Sequence, residues 1–332
     1  MSTYDFIAIG DTVTDEFIKL KDARVHCNVN DTDCELCVRF GDKVPFESVE
    51  TVYAVGNAAN AAVSATRLGL TTAFVSDVGG DELGERMLEW LTLHNVHTSF
   101  IRVHEDMMSN HHYVLQYEAE RTILVKHQPY PYALPDIGEP KWVYLSSLGE
   151  NSLPYHEEVA DYLADHKNIK LAFQPGTFQI KLGAEKLKKL YKHTEVFFCN
   201  KEEAQHILGN EEKDIKKLLK GVHDLGPKTV VITDGPKGAH AFEATTGDFW
   251  SVPMFPDTKP PVDRTGAGDA FASTIAAALA LGEPLEKALL WGPINSEAVV
   301  QEIGAQKGLL TREKLEAALT DAPDDYKVEK VS

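Results

Sequence analysis

The sequence has no hydrophobic run long enough to cross a bilayer. Its most apolar stretch, Ala270 to Leu281, is interrupted by Ser273 and Thr274 and is followed by Gly282, whereas a spanning helix needs about 20 apolar residues. The N-terminus reads MSTYDFIAIGD, with neither a basic segment nor a cleavable apolar one. We therefore expect no secretory signal, no membrane partner and a cytoplasmic location.

Basic residues are also scarce. The 332 residues include 33 Lys and Arg against 51 Asp and Glu, which gives a formal net charge of -18. Such a surface repels nucleic acid and anionic lipid, so both are excluded as partners. An anionic ligand would have to be held by local features that overcome the field of the whole protein.

Only four cysteines are present, and a chain with 43% hydrophobic residues has no need of disulfides to build a core. Three of them lie close together with a histidine, as His26, Cys27, Cys34 and Cys37. The Cys34-x-x-Cys37 spacing is that of zinc ligands. Two interpretations stay open: a tetrahedral zinc site, and ordinary reduced thiols, since a single CxxC is common by chance.

Short apolar segments alternate with segments of helical period along most of the chain. This alternation predicts βαβ units, and hence an α/β fold with a central parallel sheet flanked by helices. The predicted strands are 4–9, 72–76, 142–147, 170–174, 196–199 and 229–233, and the predicted helices are 57–68, 81–93, 155–166, 184–192, one starting at Lys201, and 214–225.

Two segments break this rhythm, residues 20–51 and residues 108–127. The first is polar and without helical period, and the second reads as a β-hairpin that turns at 118–120. We expect them to pair as a small accessory sheet. His111 and His112 would point to opposite faces of a strand and so form no chelate. The last twelve residues, DAPDDYKVEKVS, are predicted to be a solvated tail.

The strongest chemical signal is the segment VDRTGAGDAF at 262–271. A glycine-rich turn there leads directly into a helix of small residues, so free N–H groups and the helix dipole form an anion site. Asp269 stands at the same helix start, where it can accept a proton from an attacking hydroxyl group. The alternative is a glycine-rich helix cap with no catalytic role.

This segment resembles the second signature of the PfkB, or ribokinase-like, carbohydrate kinase family. Further landmarks of that family follow in the expected order, from residue 9 to about residue 306. They are Gly10-Asp11 with Asp15, Gly56-Asn57-Ala58-Ala59-Asn60, Arg67-Leu68-Gly69, Val78-Gly79-Gly80-Asp81 with Gly84, Asn200-Lys201-Glu202-Glu203, and Thr233-Asp234-Gly235 with Gly238. The resemblance implies one ribokinase-like domain over residues 1–332, with a small β-sheet lid formed by about 20–51 and 108–127.

The resemblance also implies a role for each matched residue. Asp269 would be the general base, and Gly266, Ala267 and Gly268 the anion hole. Substrate hydroxyls would be held by Asp15, Gly56, Asn57 and Asn60. ATP would be bound by Asn200, Glu203, Thr233, Gly235, Gly238 and Asn295. Capping is the alternative role of Asp15, Asn57, Asn200 and Glu203, because all four stand at turns or helix starts.

Two metal sites follow from the same resemblance. Asn200 and Glu203 would organise Mg²⁺ through water, and a K⁺ ion would lie near Asp263 and Gly304. Three departures from the family pattern weaken any inference about substrate: Val55 replaces a second glycine, Arg264 replaces a small residue, and Phe173-Gln174-Pro175-Gly176-Thr177 stands where many members have Asp-Pro-Asn.

The sequence therefore predicts an ATP-dependent phosphotransferase that acts on a hydroxyl group of a small sugar or sugar derivative. A nucleoside kinase of the same family is the first alternative. The second is an inactive member that senses a sugar, although such a protein would have no use for Asp269. By analogy with the family, a homodimer through the lid is expected.

Overall fold

The structure, a computed structural model, describes residues 4–27, 34–118 and 120–331. Its strands are β1 (Phe6–Ile9), β2 (Val13–Leu20), β3 (Arg24–Cys27), β4 (Cys34–Cys37), β5 (Phe46–Val55), β6 (Thr72–Gly79), β7 (His97–His104), β8 (His111–Tyr117), β9 (Glu120–Lys126), β10 (Trp142–Leu145), β11 (Lys170–Phe173), β12 (Thr194–Asn200), β13 (Thr229–Thr233), β14 (Ala239–Glu243), β15 (Asp248–Val252) and β16 (Glu329–Lys330). Its α-helices are α1 (Asn57–Arg67), α2 (Glu82–Leu93), α3 (Leu153–Asp165), α4 (Thr177–Leu182), α5 (Lys188–His193), α6 (Lys201–Leu208), α7 (Ile215–His223), α8 (Ala267–Ala280), α9 (Leu285–Val300) and α10 (Arg312–Thr320).

The central sheet has ten strands in the order β16-β15-β14-β13-β12-β11-β10-β1-β6-β7. The seven strands from β13 to β7 are parallel; six of them are strands that the sequence predicts, and β7 is not. Beyond β13 the sheet continues with three antiparallel strands, which the sequence analysis missed. The predicted α/β class with a mostly parallel sheet is confirmed.

Helices cover both faces of this sheet, because its central strands are apolar on both sides. In β1, Phe6 and Ala8 join a core formed with α1, α2, α8, α9 and α10. Ile7 and Ile9 join the opposite core, formed with α3, α5, α6 and α7. All four side chains are buried, which is the pattern of a strand enclosed in a parallel sheet.

A second sheet of four strands, in the order β5-β2-β8-β9, lies apart from the central one, and we call it the small sheet. The predicted hairpin is present as β8 and β9, although Ala119 in its turn lies outside the described residues. The predicted partner segment contributes β5. Between them lies β2, which begins at Val13 and so lies largely before the predicted boundary at residue 20.

The cysteine-bearing segment forms a hairpin of β3 and β4. Cys27 and Cys34 face each other across it and form a disulfide; residues 28–33 lie outside the described residues. This bond contradicts both sequence interpretations for the pair, since neither sulfur is a zinc thiolate or a free thiol. The described residues contain no group of three or more His, Cys, Asp or Glu side chains that could hold a metal, so the zinc prediction has no support.

The expected solvated tail is ordered in its middle. Tyr326 is buried, its ring packs edge-on against Phe255 at 4.9 Å, and its hydroxyl donates to the Leu290 carbonyl. The aromatic anchor brings Glu329–Lys330 alongside β15 as a short edge strand. None of the helices within the described ranges is both long and apolar enough to cross a membrane.

Candidate active site

Polar side chains gather where the parallel strands end. Asp11 follows β1, Gln174 follows β11, and β12 and β13 end at Asn200 and Thr233. Because parallel strands present their carboxyl ends at one edge, these residues lie along a common crevice, the usual ligand site of open α/β sheets.

Helix α8 points its N-terminus into this crevice. Its N-cap, Gly266, has a left-handed backbone with φ of 79°. A Cβ atom on Gly266 would lie 2.2 Å from the Ala305 Cβ, so only glycine fits there. The first N–H groups of a helix have no intrahelical partner, and the sequence predicted this anion site at Gly266, Ala267 and Gly268.

Asp269 lies in the first turn of α8, opposite the start of α1. Its Oδ1 accepts hydrogen bonds from Asn57 Nδ2 at 2.9 Å and Gln174 Nε2 at 3.2 Å, and its Oδ2 accepts one from Asn60 Nδ2 at 2.8 Å. The structure thus joins three residues that the sequence singled out, Asn57, Asn60 and Asp269. Gln174, which the sequence showed only as a departure from the family pattern, completes the set.

Burial raises the pKa of the Asp269 carboxyl above its ordinary value, whereas the hydrogen bonds from the three amides act to lower that pKa. The net effect is an increase. A base with a raised pKa accepts a proton more readily, provided that it is still ionised at the working pH.

Asp15 lies on β2 at the inner side of the small sheet and is buried. Its Oδ1 is 3.2 Å from His112 Nδ1 on the neighbouring strand β8. Gly56, the N-cap of α1, has a φ of 107°, and a Cβ atom there would lie 3.0 Å from the Asp11 carbonyl oxygen. The predicted substrate residues thus lie on two different elements, Asp15 on β2 and the other three at the start of α1.

A series of side-chain contacts continues from Asp15, and two of its members, His127 and Tyr132, were missed by the sequence analysis. His112 Nε2 lies 3.2 Å from His127 Nε2, and His127 Nδ1 lies 3.3 Å from Asp11 Oδ2. Tyr132 donates its hydroxyl to Asp11 at 2.9 Å. Burial raises the pKa of Asp11, against the lowering effect of His127 and Tyr132. His111, as predicted, lies on the other face, 3.4 Å from Glu16.

A cleft of about 510 Å³ opens on the other side of the α8 N-terminus. It is lined by predicted residues Thr233, Gly235, Gly238, Ala267 and Gly268, and also by Met254, Phe255, Phe271, Pro293, Ser296 and Glu297. Its volume suits a ligand of nucleotide size. Ala267, Gly268 and Arg264 also line the adjoining pocket around Asp269, so the two spaces meet at the glycine-rich turn.

Asn295 is not brought to this cleft. It is fully buried, its Nδ2 donates to Thr274 Oγ1 at 2.7 Å, and its Oδ1 accepts from the Leu310 N–H at 2.8 Å. Both polar atoms of its side chain are hydrogen-bonded within the fold, and the bond to Thr274 joins α9 to α8. Its neighbours Pro293 and Ser296 face the cleft instead.

Asn200 and Glu203 form a capping box at the start of α6. The Asn200 side chain accepts from the Glu203 N–H, and the Glu203 carboxylate accepts from the Asn200 N–H, each at 2.8 Å. Both residues also line the pocket around Asp269. Burial raises the pKa of Glu203. Capping and a role in the crevice are therefore compatible.

Asp263 lies beneath the glycine-rich turn. Its Oδ1 accepts from the Thr265 N–H and hydroxyl, at 2.9 and 2.7 Å, and its Oδ2 accepts from the Gly304 N–H at 3.1 Å. Asp263 and Gly304 do come together, as the resemblance implied, but through a direct hydrogen bond. Three of about four acceptor positions on the carboxylate are used, which fits poorly with a K⁺ ligand, and we derive no step through K⁺.

The fold and the site define a kinase-type α/β protein with a carboxylate, Asp269, in the first turn of a helix whose N-cap is a glycine. The sequence pattern of the pfkB family carbohydrate kinases matches residues 26–312. The chain therefore belongs to the pfkB family of carbohydrate kinases.

Individual relatives agree with this assignment. The ribokinase of Bacillus subtilis is 29% identical over 288 residues, 84% of this chain and 92% of that protein. The cytidine kinase of Thermococcus kodakarensis is 35% identical over 118 residues, 36% of this chain and 41% of that protein. For two of the curated relatives that it matches, this chain covers only about half of the relative's length or less, namely 51% and 41%.

Solved structures share the fold. The structure of Arabidopsis thaliana ribokinase complexed with ribose and ATP has a TM-score of 0.80 at 19% sequence identity, covering 96% of this chain and 99% of that chain. This likeness confirms the ribokinase-like fold.

Proposed function

We propose that the protein transfers the terminal phosphate of ATP to a hydroxyl group of a small sugar or sugar derivative, with Asp269 as the general base. The observation that carries this proposal is the position of Asp269. It stands at the glycine-rich start of α8, in a pocket that Asn57 also lines and that adjoins the nucleotide-sized cleft. Membership of the carbohydrate kinase family supports the same reaction.

Different residues of the site would bind the acceptor, remove its proton, stabilise the phosphoryl group and bind ATP. Asn57, Asn60, Gly56 and Asp15 would hold the acceptor hydroxyls, and Asp269 would take the proton of the attacking one. The N–H groups of Gly266, Ala267 and Gly268 would stabilise charge on the transferring phosphoryl group. Thr233, Gly235 and Gly238 would line the bound ATP.

Mg²⁺ fits the donor set at the start of α6. This ion takes oxygen ligands and usually keeps several waters while binding one or two carboxylates and substrate phosphates. Glu203 and Asn200 offer such oxygens within the pocket around Asp269. When bound, Mg²⁺ would neutralise charge on the phosphate oxygens.

A lid role for the small sheet is part of the proposal. The inner face of that sheet carries Asp15 and His112, so a movement of the sheet would place or withdraw groups at the acceptor site. The consumption of ATP supports the cytoplasmic location expected from the sequence, although the Cys27–Cys34 disulfide would be unusual there. A homodimer through the outer face of the same sheet is also proposed.

The test is ADP release by the purified protein, measured across sugars, sugar phosphates and nucleosides. Asp269→Asn keeps the size of the side chain but cannot accept the proton, so kcat should fall by about 10²- to 10⁴-fold while ATP binding is retained. Asp214→Asn is the matched control, since Asp214 caps the remote helix α7. Near-normal turnover of a folded Asp269→Asn protein would remove Asp269 from the mechanism.

A nucleoside kinase is the second candidate, supported by the similarity to the cytidine kinase of Thermococcus kodakarensis. The same assay separates the two, because the true acceptor should give the highest kcat/KM. An inactive sugar sensor would bind a sugar without releasing ADP, and the presence of Asp269 beside the glycine-rich turn argues against it.

A further inference from the structure

Asp269 lies at the end of a buried chain of hydrogen bonds that starts on α2. Trp90 Nε1 donates to Gln306 Oε1 at 2.8 Å, and Gln306 Nε2 donates to Asn60 Oδ1 at 3.0 Å. Asn60 Nδ2 then donates to Asp269 Oδ2 at 2.8 Å. Gln306 and Asn60 are both buried, so water does not compete for these groups.

The direction of every bond in this chain is fixed by chemistry. An indole N–H can only donate, so the Gln306 oxygen must face Trp90. Gln306 Nε2 also donates to the Ala54 carbonyl at 2.7 Å, and a carbonyl can only accept, which fixes the same orientation independently. The Asn60 oxygen must then face Gln306, and its N–H₂ group must face Asp269.

This series of hydrogen bonds ends at Asp269 Oδ2, the carboxylate oxygen that can still accept another hydrogen bond. Among the described residues, Asp269 Oδ1 already takes two donors, from Asn57 and Gln174, whereas Oδ2 takes one, from Asn60. A carboxylate oxygen can accept about two hydrogen bonds. Oδ2 therefore has the free position for the proton of the acceptor hydroxyl.

We propose that Gln306 and Trp90 are positioning residues for the base, which hold Asn60 so that it orients Asp269 with the Oδ2 lone pair directed at the acceptor hydroxyl. Neither residue touches the reacting atoms. Without Trp90, the Gln306 amide loses one of its two orienting partners. Without Gln306, Asn60 can rotate and present its oxygen to the carboxylate.

This inference rests on the proposed kinase activity, so the test begins with a wild-type protein whose ADP release on its best acceptor is established. Trp90→Phe removes the indole N–H and should lower kcat by about three- to tenfold, the effect of one net hydrogen bond. Gln306→Met should lower kcat by about 10-fold or more, with the acceptor KM changed less than kcat. Trp250→Phe is the control, because Trp250 is also half-buried but its Nε1 has no hydrogen-bond partner among the described residues.

Two readouts separate positioning from mere stability. Loss of the Asn60 donor removes an interaction that lowers the Asp269 pKa, so the acidic limb of the kcat–pH profile should move to higher pH in both variants. Because the two residues act in series, the double variant should cost no more than Gln306→Met alone. Unchanged kcat and pH profile in a folded Gln306→Met protein, or additive losses in the double variant, would overturn the relay. A wild-type protein without kinase activity would instead refute the proposed function.

Discussion

At the level of single residues, burial and hydrogen bonding act on Asp269 in opposite directions, and burial prevails. The folded pKa of this carboxyl therefore lies above its ordinary value of 3.8. In the proposed mechanism the base works only when ionised, so activity should be lost as the pH falls through the folded pKa. Because that pKa is raised, the loss should occur at a higher pH than for an exposed aspartate.

The measurement is kcat/KM against pH in the acid range, with the stability of the fold followed in parallel. We expect one acidic limb above pH 3.8 that is absent from the residual activity of Asp269→Asn. Glu203 also has a raised pKa, so Glu203→Gln should be measured too and should leave this limb in place. If the acidic limb disappears in Glu203→Gln, the limb reports the ionisation of Glu203, and its assignment to Asp269 is wrong.

The sequence predicted part of this site and could not have predicted the rest. Asn57, Asn60 and Asp269 stand at the starts of two helices beside glycines, which is a local pattern. Gln306 and Trp90 carry no such signal, because they are 216 residues apart and their pairing depends on the packing of α2 against the chain after α9. His127 was missed for the same reason, although its position after β9 would place it near the strand that carries His112.

At the level of elements, the start of α8 depends on the backbone of Gly266. Gly266→Ala would strain a φ of 79° and push its Cβ to 2.2 Å from that of Ala305. The turn must shift, and its N–H groups with it. We expect kcat to fall by about 10²-fold, as for a misplaced catalytic group, together with a lower Tm.

Gly209→Ala provides the matched control for this change. Gly209 also has a left-handed backbone, with a φ of 63° at the end of α6, but a Cβ atom there would meet open space. It should cost about 1 kcal/mol of stability and leave kcat unchanged. Equal kcat losses in the two variants would show that backbone strain, and not the position of the turn, is responsible.

The sequence pattern did not predict strand β2, because a polar residue interrupts its apolar alternation. In β2, Val13, Asp15 and Phe17 share one face, and Phe17 is buried while Asp15 meets His112. A polar residue at an inward position breaks the alternation by which a half-buried strand is recognised. The same segment carries Glu16 and Lys19 on other positions, so its composition resembles a loop. Asp15, the proposed substrate residue, therefore obscured the strand.

At the level of the whole molecule, the small sheet packs mainly against α1 and α2, whereas helices cover both faces of the central sheet. All seven residues of its edge strand β9 are exposed. If the sheet closes as a lid, amide hydrogen exchange in β2, β8 and β9 should slow when the true acceptor and an ATP analogue are added. Exchange in β1 and β10, at the centre of the main sheet, serves as the internal reference. Identical exchange with and without saturating ligands would contradict the lid.

The two faces of the small sheet differ in character. The inner face carries Asp15, Phe17 and His112. Strand register places Ile18, Val49, Leu115, Tyr113 and Leu124 together on the outer face. Val49 and Leu124 are each 51% exposed and Tyr113 is 40% exposed. This outer face also carries Glu16 and His111 but is otherwise largely apolar. An exposed apolar surface is typical of a protein–protein contact.

A second copy of the chain is the proposed partner for this outer face, and Leu124 lies directly opposite Tyr113 in it. Leu124→Glu would place a charge within the contact, where burial without a partner is costly. We expect the wild-type protein to have the mass of a dimer in analytical ultracentrifugation and the variant to shift to the monomer. Leu93→Glu is the control, since Leu93 is 74% exposed at the end of α2 and is not part of the outer face. Because Asp15 and His112 lie on the opposite face of the same strands, dissociation of the dimer should also raise the acceptor KM. A wild-type protein with the mass of a monomer, or a Leu124→Glu variant with the mass of a dimer, would exclude this interface.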